Sequence, residues 1–102
     1  MLHGIHRVTS FERLAPFILS VRFEDGTSQT IDFSPVLRGE IYGPLRDPDF
    51  FDQVRLDEVV GTLTWPNGAD FEPGTLHDWQ TWGPQLAALA RTWTEAPLTT
   101  KR

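Results

Sequence analysis

The sequence contains no cysteine and no long apolar run, and each absence excludes a class of protein. Without cysteine the chain cannot form disulfides, thiolate metal sites or a cysteine nucleophile. Its most apolar run, residues 15–19, is interrupted by Pro16, whereas a membrane-spanning helix needs about 20 apolar residues. The first residues also lack the basic start and apolar stretch of a signal peptide. We therefore expect a cytoplasmic protein.

Basic residues are scarce. Arg and Lys together number nine against 14 acidic residues, which gives a net charge of −5. Proteins that bind nucleic acid or anionic membranes on their own usually present a basic surface. The composition therefore argues against direct binding to either. A basic protein partner could instead meet the acidic residues that cluster in the middle of the chain, which are Asp47, Asp49, Asp52, Asp57 and Glu58.

The length of 102 residues fits one small domain. Hydrophobic residues make up 39% of the chain and aromatic residues 12%, which is typical of a folded protein. A core of this size contributes a net stability of about 5–10 kcal/mol, so we expect the aromatic side chains to do much of the packing. The sequence predicts a single α+β domain over residues 1–95 and a flexible tail over residues 96–102.

The clearest local signal is a β-hairpin over residues 17–33. Large apolar residues alternate with polar ones over residues 17–24, which is the period of a strand with one buried face. Asp25-Gly26 follows and is a favoured two-residue hairpin turn, because both residues tolerate positive φ. A preceding strand is predicted near residues 5–11, where β-branched and aromatic residues recur at near-alternate spacing.

Two short helices are predicted near residues 34–39 and 48–52. Ser34-Pro35 and Asp47-Pro48 each place a capping residue before a proline at the first helical position. Gly39 is expected to end the first of these helices.

The rest of the chain predicts a second hairpin and a C-terminal helix. Residues 54–65 read as two short strands that end at a Pro-Asn-Gly turn. Gly83-Pro84 is typical of a helix start, and the sequence predicts a helix near residues 84–94. Its apolar residues recur at i, i+3, i+4 and i+7, namely Leu86, Leu89, Ala90 and Trp93.

Three stretches carry a resemblance to a known family. They are the strand-Asp-Gly-strand hairpin of residues 19–33, the Pro-Leu-x-Asp-x-x-x-Phe segment of residues 44–54, and the Trp-Pro-Asn-Gly-Ala-Asp-Phe-x-Pro box of residues 65–73. In this order the sequence resembles a family of small bacterial domains of unknown function, family 2442. The resemblance implies a small antiparallel sheet packed with short helices, and it transfers no catalytic residues. It also suggests a regulatory or toxin–antitoxin-like pairing with a second protein.

The box at residues 65–73 has a structural and a functional interpretation. In the first, Trp65 ends a strand with its ring in the core, Asn67-Gly68 forms a turn, and Asp70 accepts backbone hydrogen bonds. In the second, Asn67 and Asp70 form an exposed polar pair that meets a ligand or partner. Turn chemistry accounts for every residue of the box, so the structural interpretation is favoured.

The three histidines offer only a weak metal signal. His3 and His6 fall on opposite faces of a strand. His77 and Asp78 could join one of them, because two histidines and a carboxylate form a legitimate metal set, but nothing in the sequence requires it. We therefore expect no metal site and no cofactor.

No catalytic pattern is present in the sequence. None of the four serines lies in a Gly-x-Ser-x-Gly turn, and the phosphate-binding glycine patterns are absent. Tryptophan, by contrast, is frequent in the last quarter of the chain, and tryptophan is enriched at protein-binding hot spots. Trp79 and Trp82 have polar or glycine neighbours and are the candidates for exposure, whereas Trp93 shares the leucine stripe.

These observations favour a non-catalytic protein-interaction module over an enzyme. We expect it to act as the small member of a two-protein regulatory or toxin–antitoxin-like pair, with an unidentified protein partner and with self-association also open. The alternative is a small-molecule or metal-binding domain, or a minor enzyme, that uses Asn67, Asp70 and His77.

Overall fold

The computed structural model describes residues 6–93, which form two antiparallel sheets packed with short helices, as the α+β prediction requires. The first sheet contains β1 (Val8–Ala15), β2 (Ile18–Phe23) and β3 (Ser28–Asp32) in that order, and the second contains β4 (Arg55–Asp57) and β5 (Thr62–Thr64). The helices are α1 (Gly39–Tyr42), α2 (Pro48–Phe51), α3 (Pro73–His77) and α4 (Trp79–Ala90). The predicted tail over residues 96–102 lies outside the described residues.

The predicted first hairpin is confirmed, with a change at its start. β2 and β3 pair across a three-residue loop, residues 24–26, in which Gly26 alone has a positive φ, +90°. The predicted two-residue Asp25-Gly26 turn is therefore wrong, and the loop has the glycine position typical of a three-residue hairpin. Phe17 belongs to a turn and not to the strand, since it follows Pro16 and has a φ of +67°. Proline followed by a residue of positive φ is the order of a type II turn. Because β1 continues up to this turn and pairs with β2 as far as Ala15, the first strand spans Val8–Ala15 and not the predicted residues 5–11.

The core lies on one face of the larger sheet. Alternate residues of β2 and β3 are buried there, which is the period of two that the sequence shows. Phe33, directly after β3, is fully buried and lies at the centre of an aromatic cluster. Its ring centroid lies between 5.2 and 6.1 Å from those of Phe51, Trp65, Phe71 and Trp79.

Gly39 begins a helix where the sequence predicted the end of one. Residues Ser34–Val36 form only a 3₁₀ turn, and α1 starts at Gly39. The φ of Gly39 is +84°, which separates the two elements. Ser34 does not act as the predicted cap; instead its N–H and hydroxyl both donate to the Asp32 carboxylate, at 3.0 and 2.6 Å.

The C-terminal helix begins at Trp79, so the predicted start at Pro84 is wrong. Pro84 lies inside α4 and has no N–H to donate to the carbonyl of Gln80. Both residues are exposed, so water can satisfy that carbonyl. The helix ends at Ala90, and residue 94 of the predicted range lies outside the described residues.

The N-cap of α2 is confirmed and gives a first prediction. The Asp47 carboxylate accepts the backbone N–H of Asp49 at 3.0 Å. We expect Asp47→Ala to lower the free energy of unfolding by about 1 kcal/mol, because that N–H loses its partner. Urea denaturation measures the loss. Glu24→Ala, which removes an exposed carboxylate outside any helix, should change stability by less than about 0.5 kcal/mol; equal losses would contradict the capping role.

Candidate functional site

One exposed tryptophan stands between two clefts. Trp82 lies on α4 with 46% of its surface exposed. Because residues three, four and seven apart share a helix face, Trp82 lies on the same face of α4 as Gln85, Leu86 and Leu89, and all four line one cleft. The first cleft, which we call the Trp82 cleft, has a volume of about 470 Å³ and is lined by Tyr42, Phe71, Glu72, Thr75, Trp82, Gln85, Leu86 and Leu89.

The Trp82 cleft is mainly apolar. Phe71 is buried and Leu86 half-buried, whereas Leu89 is 53% exposed. Glu72 is the one charged side chain among the lining residues. The arrangement therefore offers an apolar surface with a single carboxylate at its edge.

Tyr42 connects this cleft to the turn that follows β5. Its hydroxyl donates to the backbone carbonyl of Asp70 at 2.6 Å, and its ring stacks on Phe71 with centroids 4.8 Å apart. Burial, and secondarily the negative charge of Asp70, raise the pKa of Tyr42. Tyr42 therefore keeps its proton and stays a hydrogen-bond donor at neutral pH.

A second cleft lies on the other side of Trp82 and is polar. We call it the polar cleft; its volume is also about 470 Å³, and it is lined by His6, Glu72, Pro73, Gly74, Thr75, Asp78 and Trp82. Glu72, Thr75 and Trp82 line both clefts and so form the boundary between them. The carboxylates of Glu72 and Asp78 both line the polar cleft, so it is not suited to binding an anion.

His77 links the end of α3 to the β2–β3 turn. Its Nε2 lies 2.8 Å from Asp25 Oδ2, and its Nδ1 lies 2.8 Å from Asp78 Oδ1. The imidazole ring stacks on His6 with centroids 3.9 Å apart and meets the edge of Phe23. We call His6, His77, Asp78 and Asp25 the histidine cluster.

Hydrogen bonds set the charge states in the histidine cluster. Burial is the largest single influence on His77 and lowers its pKa, but the hydrogen bonds and charges of Asp78 and Asp25 together outweigh burial and raise the pKa above its ordinary value. For Asp25, the Thr27 hydroxyl, then the Thr27 backbone N–H, and then His77 hold the pKa well below its ordinary value. When His77 is protonated, its imidazolium therefore lies between the carboxylates of Asp25 and Asp78.

The structure separates the residues of the box at 65–73. Trp65 is 2% exposed, and its Nε1 donates to the backbone carbonyl of Phe51 at 2.9 Å, so its ring is in the core as the structural interpretation predicts. Asn67 accepts the Ala69 N–H at 3.1 Å and donates to the Ile41 carbonyl at 2.9 Å. Its side chain thereby holds the turn against α1.

Asp70 does not accept the backbone hydrogen bonds that the sequence suggested. Its side chain is exposed, and within residues 6–93 its carboxylate makes no hydrogen bond or ion pair; only its backbone carbonyl is used, by Tyr42. Neither cleft beside Trp82 is lined by Asn67, Asp70 or His77. These three residues, which the alternative reading grouped, are therefore not brought together in either cleft.

The tryptophans divide between core and surface. Trp79 is half-buried and packs against Phe33 and Phe71, with centroids 5.5 and 6.0 Å apart, whereas Trp82 is exposed. Trp93 is half-buried and stacks on Tyr42 at 5.8 Å. Of the two tryptophans proposed for the surface, only Trp82 offers a free ring face.

Sequence reasoning missed the contribution of several residues to this region. Tyr42 and Glu72 carried no signal because they reach the Trp82 cleft only through tertiary packing. Leu89 belonged to the helical stripe, and only the packing of α4 leaves it exposed. The sequence made His6 a candidate metal ligand but could not show that it lies beside His77, because the two residues are far apart in the chain. His3 lies outside the described residues.

Several carboxylates of the acidic middle segment already have hydrogen-bond or ion-pair partners within the domain. Asp52 pairs with Arg13 at 2.9 Å, and Asp57 accepts the N–H groups of Val59 and Val60 at 3.0 and 3.1 Å. With Asp47 capping α2, these carboxylates stabilise turns and helix ends. The segment therefore offers less free charge to a partner than its sequence suggested.

Comparison with known proteins agrees with the resemblance of the three sequence stretches. No helix among residues 6–93 combines the length and apolarity needed to cross a membrane. No curated protein and no solved structure matches the chain. The family model described as "Protein of unknown function (DUF2442)" matches residues 8–81, which is most of the chain. The chain therefore belongs to the DUF2442 family.

Proposed function

We propose that the chain is a non-catalytic protein-interaction module whose partner docks in the Trp82 cleft. The observation that carries this proposal is the exposure of Trp82 and Leu89 on one face of α4, above an apolar floor. Exposed tryptophan beside buried aromatic residues is the composition of an interaction hot spot. The cleft volume also lies in the range of about 300–1,000 Å³ that binding pockets occupy.

The charge of the surface indicates the chemistry of the partner. Glu72 borders the cleft, Asp78 borders the adjoining space, and the chain has a net charge of −5. A partner segment that presents an aliphatic or aromatic anchor beside Arg or Lys would satisfy both the apolar floor and the carboxylates. Opposite net charges would also speed the encounter of the two proteins. The chain would then be the small, acidic member of a two-protein regulatory pair, as in toxin–antitoxin systems.

Peptide selection tests this proposal. A random peptide library panned on the full chain should yield sequences with an apolar anchor next to a basic residue. Trp82→Ala should weaken the binding of a selected peptide by at least about 30-fold, since hot-spot truncations cost about 2 kcal/mol or more. Glu72→Gln should reduce the preference for the basic residue, and isothermal titration calorimetry measures both effects.

The matched control is Val59→Ala. Val59 is 89% exposed in the turn between β4 and β5 and lines neither cleft, so its truncation should leave peptide affinity unchanged. Selected peptides that bind Trp82→Ala as tightly as the parent chain would overturn the proposal. Light scattering tests a different occupant. If the parent chain forms a dimer and Trp82→Ala makes it monomeric, the cleft binds a second copy of this chain and not a basic partner.

A further inference from the structure

The fold places three metal-ligating side chains at one point. His6 lies just before β1, whereas His77 and Asp78 lie at the junction of α3 and α4. One ligand atom from each of these residues lies within 4.8 Å of the others. Two imidazole nitrogens and one carboxylate oxygen form a donor set that suits Zn²⁺ and other divalent first-row transition metals.

A further carboxylate orients His77 as the outer partners of metal ligands do. Metal-binding histidines usually donate their second ring N–H to a carboxylate or carbonyl, which fixes the tautomer. Here His77 Nε2 lies 2.8 Å from Asp25, and Asp25 is held by the Thr27 backbone N–H at 3.0 Å and the Thr27 hydroxyl at 2.6 Å. With the His77 Nε2–H donated to the Asp25 carboxylate, Nδ1 is the nitrogen left to bind an ion, and it lies 2.8 Å from Asp78 Oδ1.

The cluster is also accessible from outside. His6 and Asp78 line the polar cleft, which has a volume of about 470 Å³. An ion held by three protein ligands would therefore keep a coordination position open toward water or a small ligand in that cleft.

We propose that His6, His77 and Asp78 bind one divalent transition-metal ion, with Asp25 as the outer partner of His77 and one coordination position open to the polar cleft. When the His77 imidazole is charged, the ion would displace its Nδ1 proton, which is released to water.

Binding requires a small rearrangement. Tetrahedral Zn²⁺ with bonds of about 2.0–2.1 Å holds its donors about 3.3 Å apart. The His6 ligand atom must therefore draw closer to the other two, from separations of up to 4.8 Å, while the His77 and Asp78 atoms, now 2.8 Å apart, separate slightly. The stacked His6 ring must also tilt out of its near-parallel position, 18° from His77. Within residues 6–93 the His6 ring makes no hydrogen bond, so this tilt breaks none.

The experiment is a zinc titration of the full chain, freed of any histidine tag and stripped with a chelator. Isothermal titration calorimetry should show one Zn²⁺ per chain. His6→Ala and Asp78→Asn should each weaken affinity by more than about 100-fold, and Asp25→Asn by about 10–100-fold as an outer partner. Asp49→Asn, which alters an exposed carboxylate of α2, is the matched control and should leave affinity unchanged.

Nitrogen-15 NMR of the histidine rings gives a second readout that needs no variant. Zn²⁺ should move the His77 Nδ1 resonance much more than the Nε2 resonance, because Nε2 stays bonded to Asp25. The proposal fails if the parent chain binds no zinc, if His6→Ala and Asp78→Asn bind it as tightly as the parent, or if His77 Nδ1 does not respond. In each of these cases the cluster is only an ion pair that holds α3 to the β2–β3 turn.

Discussion

Phe33→Ala should remove about 3–5 kcal/mol from the free energy of unfolding, the cost of emptying a buried aromatic site. Phe33 is fully buried, and its ring contacts reach α2, the segment directly after β5, and α4 through Phe51, Trp65 and Trp79. A domain of this length has a total stability of about 5–15 kcal/mol. The single truncation should therefore remove a large share of it, and the midpoint of guanidinium denaturation should fall accordingly.

Phe11→Ala is the matched control for this truncation. Phe11 lies on β1, is only half-buried and belongs to the margin of the core. Its loss should therefore cost clearly less, on the order of 1 kcal/mol. If Phe33→Ala does not fold, Phe33→Leu keeps the comparison measurable, because leucine fills part of the site. Equal losses from Phe33→Leu and Phe11→Leu would contradict the central position of Phe33.

Gly83→Ala should destabilise the domain, although alanine usually stabilises a helix relative to glycine by about 1 kcal/mol. Gly83 is buried in α4, and the Trp79 ring lies across it. A Cβ at position 83 would lie 2.6 Å from Trp79 Nε1 and 2.8 Å from Trp79 Cδ1. The ring would have to leave its place against Phe33 and Phe71, so we expect a loss of about 1–3 kcal/mol.

Two comparisons isolate the cause of that loss. In Gly74→Ala the new Cβ would meet only His6 Cδ2 at 3.9 Å, an ordinary contact, so stability should hold or rise slightly. In a Trp79→Leu background the ring is gone, and Gly83→Ala should no longer destabilise. Thermal denaturation of the four chains of this double-mutant cycle should give a coupling energy of about 0.5–3 kcal/mol. A coupling near zero would contradict the clash.

Elements with local causes were predictable from the sequence. The β2–β3 hairpin follows from the alternation of apolar and polar residues and from Gly26, whose positive φ closes the loop, although the loop is one residue longer than predicted. The cap at Asp47 is equally local. The predictions at Gly39 and Pro84 were wrong. Gly39 begins a helix and does not end one, and Pro84 lies inside a helix and does not begin it, because tertiary packing decides which of these positions such a residue takes. In α4 the burial of Trp79 against the core extends the helix on the N-terminal side of the proline.

The candidate sites were only partly predictable, because they depend on distances between remote segments. The high local frequency of tryptophan indicated an interaction surface, but one turn of helix separates the exposed Trp82 from the packed Trp79, and only the position of α4 on the core distinguishes them. His77 was a candidate from its sequence neighbours. Its contacts with His6 and Asp25 arise from the fold, since the residues just before β1 and the β2–β3 turn both meet the end of α3.

The central position of Phe33 also bears on the order in which the domain forms. β1, β2 and β3 pair with their immediate neighbours in the chain, so this meander requires only short loops to close. The aromatic rings that cover Phe33 come later, from Phe51 onward to Trp79. We therefore expect the sheet to present an uncovered apolar face during synthesis until α4 has left the ribosome, and closure of the chain around Phe33 to be the long-range step that limits the folding rate.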